Sequence, residues 1–149
     1  MSYNEREGKT IMKRKGKVGM VIAVIVGVIV LGLGGALLAT SGERREGKNL
    51  PIAAIDFKEL RDGTYVGEYE GGSYKMRANK VQVTVSSGKV TDIKVLTHKE
   101  NRPQEFTGEL YGRVIKDQSL QVDTISGATI TSKAYLKSVE NALVKAQEK

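Results

Sequence analysis

The chain has 149 residues, a formal net charge of +7, one His, no Trp and no Cys. Without Cys there are no disulfides, no thiolate chemistry and no Cys-ligated metals. Two Phe, six Tyr and no Trp leave few surfaces on which bases could stack, so the positive charge does not point to nucleic acid as a partner.

Much of that charge sits at the start of the chain. Residues 1–17 hold six basic and two acidic residues, a balance of +4 that leaves +3 for everything after. Residues 18–39 then read "VGMVIAVIVGVIVLGLGGALLA", with no charged residue. At 1.5 Å per residue this run would extend roughly 33 Å, enough to cross a hydrocarbon core of about 30 Å. A secretory signal peptide has a shorter apolar region, about 7–15 residues, so a retained anchor is the expectation. The Lys and Arg cluster before the run places residues 1–17 in the cytoplasm and everything after Ser41 outside. Residues 40–50 are polar, carry Gly42 and Gly47, and read as a linker ending at Pro51.

An outer domain of residues 51–149 follows, long enough for one modest core. "GTYVGEYEG" (63–71) has strand character, and "NKVQVTVSSGKVTDIKVLTHK" (79–99) is the clearest hairpin. Val81, Val83 and Val85 alternate with polar residues, "SSGK" turns the chain, and Val90, Ile93 and Val95 return. The three-residue step from Val90 to Ile93 breaks the alternation and predicts a bulge. Phe106, Leu110, Val114 and Ile115 recur at helical spacing and predict a helix over 105–117, although Gly108 and Gly112 weaken it. Tyr135 or Leu136, Val139, Ala142 or Leu143, and Ala146 fall on one face of a final helix, with Thr131 and Ser132 as N-cap candidates. The expected fold class is α+β: an antiparallel sheet with packed helices, preceded by one N-terminal transmembrane helix.

Between those two helices lies "DTISGATITS", Asp123 to Ser132, a loop running into a helix start. Unpaired backbone N–H groups and the macrodipole make that end favourable for an anion, and for phosphate above all. Gly127 and Ala128 admit a bulky group, while Ser126, Thr129, Thr131 and Ser132 add hydroxyls. A capped helix with a tight turn has the same composition, so the residues alone leave both readings open.

The stretch resembles the FMN-binding-domain signature D-x-x-[ST]-G-A-T-x-[ST]-S, found in peripheral subunits of sodium-pumping NADH:quinone reductase and Rnf complexes. "LRDGTYVGEYEG" (60–71) is similar to that family's opening strand. The hairpin resembles its central one, which often ends in a His and an acidic residue, as His98 and Glu100 do here. The resemblance covers about residues 60–145. It implies FMN joined by a phosphoester to the hydroxyl of Thr129. A separate extracytoplasmic flavin transferase, using FAD and a divalent metal, would make the bond. Ser126, Gly127 and Ala128 would surround the phosphate or be read by the transferase. Asp123 would order the loop or help place the transferase's metal, and Ser132 would cap the helix while donating toward the phosphate. The implied role is electron relay between a membrane quinone reductase and another redox partner. The flavin does that chemistry itself, which matches a chain with no evident acid–base pair or nucleophile triad. Two other readings stay open: a reductase component holding FMN non-covalently, and a surface interaction domain without flavin. His98 and the tyrosines Tyr65, Tyr69, Tyr74 and Tyr111 could line a flavin site, with packing the plainer role for each tyrosine. The Lys and Arg after residue 75 read as a solvated face.

Overall fold

The computed structural model describes residues 19–31, 41–42 and 44–148, which fall into two compact units, Met1–Ser41 and Gly42–Lys149. In the first unit residues 19–31 are helical and all exposed. Val24, Ile25 and Ile29 each leave more than half of their surface uncovered. A stretch apolar on every side has no polar face to turn outward. Among the described residues no helix is long and apolar enough to cross a membrane. Residues 1–18 and 32–40, which include the expected tail and the rest of the expected span, lie outside the described residues.

The second unit is α+β. Three strands, β1 (Gly63–Tyr69), β2 (Asn79–Ser86) and β3 (Lys89–His98), form an antiparallel sheet in the order β1-β2-β3. Two helices, α1 (Gln104–Asp117) and α2 (Thr129–Gln147), pack with it. A short 3-10 helix, Phe57–Glu59, precedes the sheet. Alternation in β2 buries Asn79, Val81, Val83 and Val85 on one face, as a sheet with one covered side requires. Ser87 and Gly88 turn the hairpin with positive φ of 53° and 73°, the two-residue geometry whose twist suits flanking strands. The expected bulge is present. Val85 pairs with Val90 and Thr84 with Asp92, so Thr91 is the extra residue that returns Ile93 to the core face.

The long face of α2 covers the sheet, burying Tyr135, Leu136, Val139, Ala142, Leu143 and Ala146. Contact with β1 is close enough to demand glycine: a Cβ on Gly67 would run into the Ser138 carbonyl and Ala142. A buried polar pin joins β2 to α2. The Asn79 amide donates to the carbonyls of Ala134 (3.1 Å) and Arg77 (3.0 Å) and accepts from the Ser138 hydroxyl (2.5 Å). Helix α1 begins one residue earlier than its periodicity suggests and ends on Gln118 in the left-handed region. The Gln118 amide joins that end to β3, accepting from Val90 N (2.9 Å) and donating to Val90 O (2.9 Å) and Ile115 O (2.6 Å).

The stretch expected as a polar linker has structure of its own. Residues 44–48 are helical, and Gly47 is buried where a Cβ would strike Ile130. Lys133 donates to the Lys48 carbonyl at the end of this helix (2.7 Å) and Lys137 to that of Pro51 in the segment after it (3.2 Å), so two ammonium groups tie the stretch to α2.

Candidate functional site

The segment from Asp123 to Ala128 is a loop, as its composition implies, and α2 starts at Thr129. Its shape is fixed from both sides. From α1, Arg113 donates through Nη1 to the carbonyls of Asp123 (2.7 Å) and Thr124 (3.3 Å), and its Nη2 is held by Glu109 (2.5 Å). From α2, the Ser132 hydroxyl accepts from Ile125 N (3.1 Å) and donates to Ala128 O (2.9 Å). Gly127 takes φ of +74° at the tip, a conformation nearly free of cost only without a Cβ.

These bonds correct two expectations. The residue at the N-cap is Ala128, and no side chain caps the helix. Thr131 and Ser132 lie within the first turn and are almost wholly buried, at 2% and 0% exposure. The Ser132 hydroxyl is committed to the loop backbone, so it is a latch and not a cap. Thr131 is taken up by a charged cluster: its hydroxyl donates to Glu100 Oε2 (3.0 Å) and accepts from Arg102 Nη2 (3.3 Å) and Arg77 Nε (3.4 Å).

What remains presented is a smaller set. Asp123, Ser126, Gly127 and Thr129 are exposed, and Ala128 is half-buried. Among the described residues no hydrogen bond engages the Thr129 hydroxyl. The first helical hydrogen bond runs from Ser132 N to Ala128 O (2.8 Å), so the N–H groups of Thr129, Ile130 and Thr131 lie ahead of the helical ladder. The donor set therefore fits a phosphate, with an unengaged hydroxyl beside the backbone N–H groups of a helix start.

Two concavities large enough for a small molecule lie on this unit, and the second includes Asp123 and Thr124 of the loop. A groove of about 600 Å³ runs between β3 and α1, with Val95, His98, Arg102, Gly108, Tyr111 and Tyr135 among its walls. A cleft of about 420 Å³ is bounded by residues 49–52, residues 120–124, Lys133 and Leu136. The groove is of the size that small-molecule sites have. Gly108 and Gly112, the glycines that weaken the α1 periodicity, both line it. A Cβ on either would meet nothing within 4 Å, so their smallness widens the groove and serves no close packing. Tyr135 meets Phe106 and Tyr111 edge-to-face, at centroid distances of 5.9 and 6.3 Å. Burial pushes the phenols of Tyr111 and Tyr135 above the usual range, and for Tyr135 the Glu100 carboxylate adds to the rise.

Arg102 links the groove to the first turn of α2. It lines the groove, contacts Thr131 on α2 and stands 5.7 Å from the Phe106 ring centre. Its Nε and Nη2 grip Glu100 Oε1 at 3.0 and 2.5 Å. The basic residues after 75 are therefore not all a solvated face: Arg77, Arg102 and Arg113 are tied into this region. Sequence reading missed them because ion pairs between a strand end, a loop and a helix have no periodicity. The spacing of Glu100 and Arg102 was the available hint. Of the other singled-out side chains, His98 and Tyr111 line the groove, and Tyr65, Tyr69 and Tyr74 do not. The exposed His98 sits at the end of β3 with Nδ1 2.6 Å from Glu100 O. Tyr65 donates to the carbonyls of Arg61 and Asp62, and Tyr74 is exposed. Among the described residues no group of His, Asp or Glu could hold a metal ion.

The chain is 28% identical over 148 residues to an uncharacterized protein of Treponema pallidum (strain Nichols). The match takes in 95% of this chain, which spans 40% of that protein's length. A crystal structure of a Clostridium perfringens protein aligns with a TM-score of 0.45 at 25% identity, over 59% of this chain and 89% of that one. Residues 77–144 match the family model of the FMN-binding domain, a segment that holds both the Thr129 loop and the Glu100–Arg102 cluster, and this match supports flavin binding and a place for the chain in the FMN-binding domain family.

Proposed function

We propose that this protein carries FMN covalently, through a phosphoester to Thr129, and relays electrons on the outer side of the cytoplasmic membrane, to which residues 18–39 anchor it. The observation that carries the reading is the Thr129 hydroxyl: exposed, without a hydrogen bond and first in α2, inside the segment that matches the FMN-binding domain.

Attachment would be done to the protein by a partner, an extracytoplasmic FAD-dependent flavin transferase. The transfer would join the Thr129 oxygen to the FMN phosphorus as the pyrophosphate bond of FAD breaks, with AMP as the leaving group and the hydroxyl proton passing to the transferase. The chain's own contribution is presentation. Arg113 and Ser132 fix the loop backbone, and Gly127 keeps the approach clear. Once bound, the flavin supplies the electron-transfer chemistry. The groove between β3 and α1 would offer the planar ring an aromatic wall of Tyr111 and Tyr135. Tyr135, which lines it, is six residues along α2 from Thr129, a rise of about 9 Å. A covalent tether suits a site facing the cell exterior, where a dissociated cofactor would be lost. The redox partners, a membrane quinone reductase on one side and a second acceptor on the other, would meet the ring at the open side of the groove.

Co-expression with a flavin transferase tests the reading. The wild-type protein should stay yellow after denaturation and removal of small molecules. Thr129→Val should emerge colourless with an unchanged thermal midpoint. Colour that washes out on denaturation would replace the tether by non-covalent binding, and a colourless wild type would contradict flavin binding altogether.

A further inference from the structure

We infer that Arg102 is the charge partner of the bound ring and sets its redox balance, with Glu100 opposing it. The inference rests on the flavin reading above and adds a role for two residues outside the attachment loop.

Three charged side chains line the β3–α1 groove, Asp92, Lys94 and Arg102; Asp92 and Lys94 pair with each other at 3.5 Å, whereas Arg102 bonds to the first turn of α2, two residues from Thr129. One edge of its guanidinium, Nε and Nη2, is held by Glu100 and Thr131. Among the described residues Nη1 makes no hydrogen bond, and the side chain is about one-third exposed, at 35%. A guanidinium braced on one edge and open on the other is a pre-organised donor, here in a residue that forms part of the groove wall. Glu100 is itself held by Thr131 and lies 3.5 Å from Arg77 Nε, so the cluster cannot swing away without breaking several contacts.

The consequence is electrostatic. Two electrons from a donor, with one proton taken from water at N5, convert the neutral oxidised ring to a monoanion whose charge lies toward N1 and the C2 carbonyl. A fixed cation beside that edge stabilises the reduced form more than the oxidised one, and a fixed anion does the reverse. Arg102 therefore raises the potential and Glu100 lowers it.

The test is a dithionite titration of the purified, flavin-loaded protein against a reference dye, for the wild type, Arg102→Gln, Arg102→Lys and Glu100→Gln. Circular dichroism checks that each variant is folded. Arg102→Gln should cut the preference for the reduced form about tenfold, a fall of about 30 mV for a two-electron couple. Arg102→Lys should fall by less, because the charge stays and the fork is lost. Glu100→Gln should move the potential up. Opposite signs for the two neutralisations carry the inference, since a purely structural role for the pair would shift both the same way. Equal or same-signed shifts would overturn it and put the ring elsewhere, with the cleft beside Lys133 as the other concavity. Wild type that takes up no flavin would overturn the underlying reading and this inference together. Wild type that carries flavin with potentials insensitive to both residues would overturn this inference alone.

Discussion

Thr129 and Ser132 are three residues apart, one presented to solvent and one sealed at 0% exposure. Composition could not separate them, because both are hydroxyl residues at a helix start. The partners that decide their roles, Ile125 N and Ala128 O for Ser132, become visible only when the loop folds back on the helix. Tyr111 gives a second case. Its side chain is 4% exposed and its hydroxyl is buried with no partner, the arrangement in which a polar group costs the most. Tyr111→Phe should therefore be neutral or stabilising by up to about 2 kcal/mol in urea denaturation at pH 7. The same variant has a pH signature. Because burial raises the Tyr111 pKa in the folded state, the unfolded chain releases its proton first as pH climbs past about 10. Stability attributable to that phenol is complete below this value and drains away above it. Tyr111→Phe should lessen the alkaline loss, and stability curves for the two proteins that stay parallel from pH 8 to 11 would speak against this burial.

At the scale of elements, the joint between β2 and α2 is the most exposed to mutation. Asn79→Ala removes three hydrogen bonds at once and leaves the Ala134 carbonyl and the Ser138 hydroxyl without this partner in a closed interior. A loss of about 2–4 kcal/mol is expected, at the upper end of the penalty for stranded buried polar groups. Gly67→Ala tests the neighbouring contact of α2 with β1 sterically. Pushing a methyl into the Ser138 carbonyl should cost about 1–3 kcal/mol, and a midpoint within error of wild type would mean that α2 does not lie so close to β1. The elements themselves were legible in the sequence. Period-two valines marked β2, the Val90–Ile93 step marked the bulge, and the apolar face of α2 was plain. Less legible were features built between elements: the helical turn at 44–48, the Gln118 clamp and the Glu100–Arg102 cluster. Each is completed by a partner far along the chain, Thr131 in the case of Glu100 and Arg102, so local patterns announce little of it. Gly108 and Gly112 read in the sequence as flaws in a helix, and in the fold they line an open groove.

At the scale of the whole molecule, the proposed function has two separable halves, a membrane anchor at the N-terminus and a tethered flavin on the domain that follows. The charge distribution carries the first half: the basic cluster stands before the apolar run, and the remaining +3 is spread thinly behind it. Cells expressing the full chain should retain it in membranes after carbonate washing, and protease added to spheroplasts should digest residues 51–149 while sparing a short N-terminal fragment. Release into the soluble fraction on washing would contradict the anchor without touching the flavin. The second half rests on one hydroxyl among several in the same loop, and mass spectrometry resolves it. In protein co-expressed with a flavin transferase, the tryptic peptide Asp117–Lys133 should gain the mass of FMN less one water, with fragment ions placing the addition on Thr129. An unmodified peptide, or an addition located on Ser126, Thr131 or Ser132, would contradict the account.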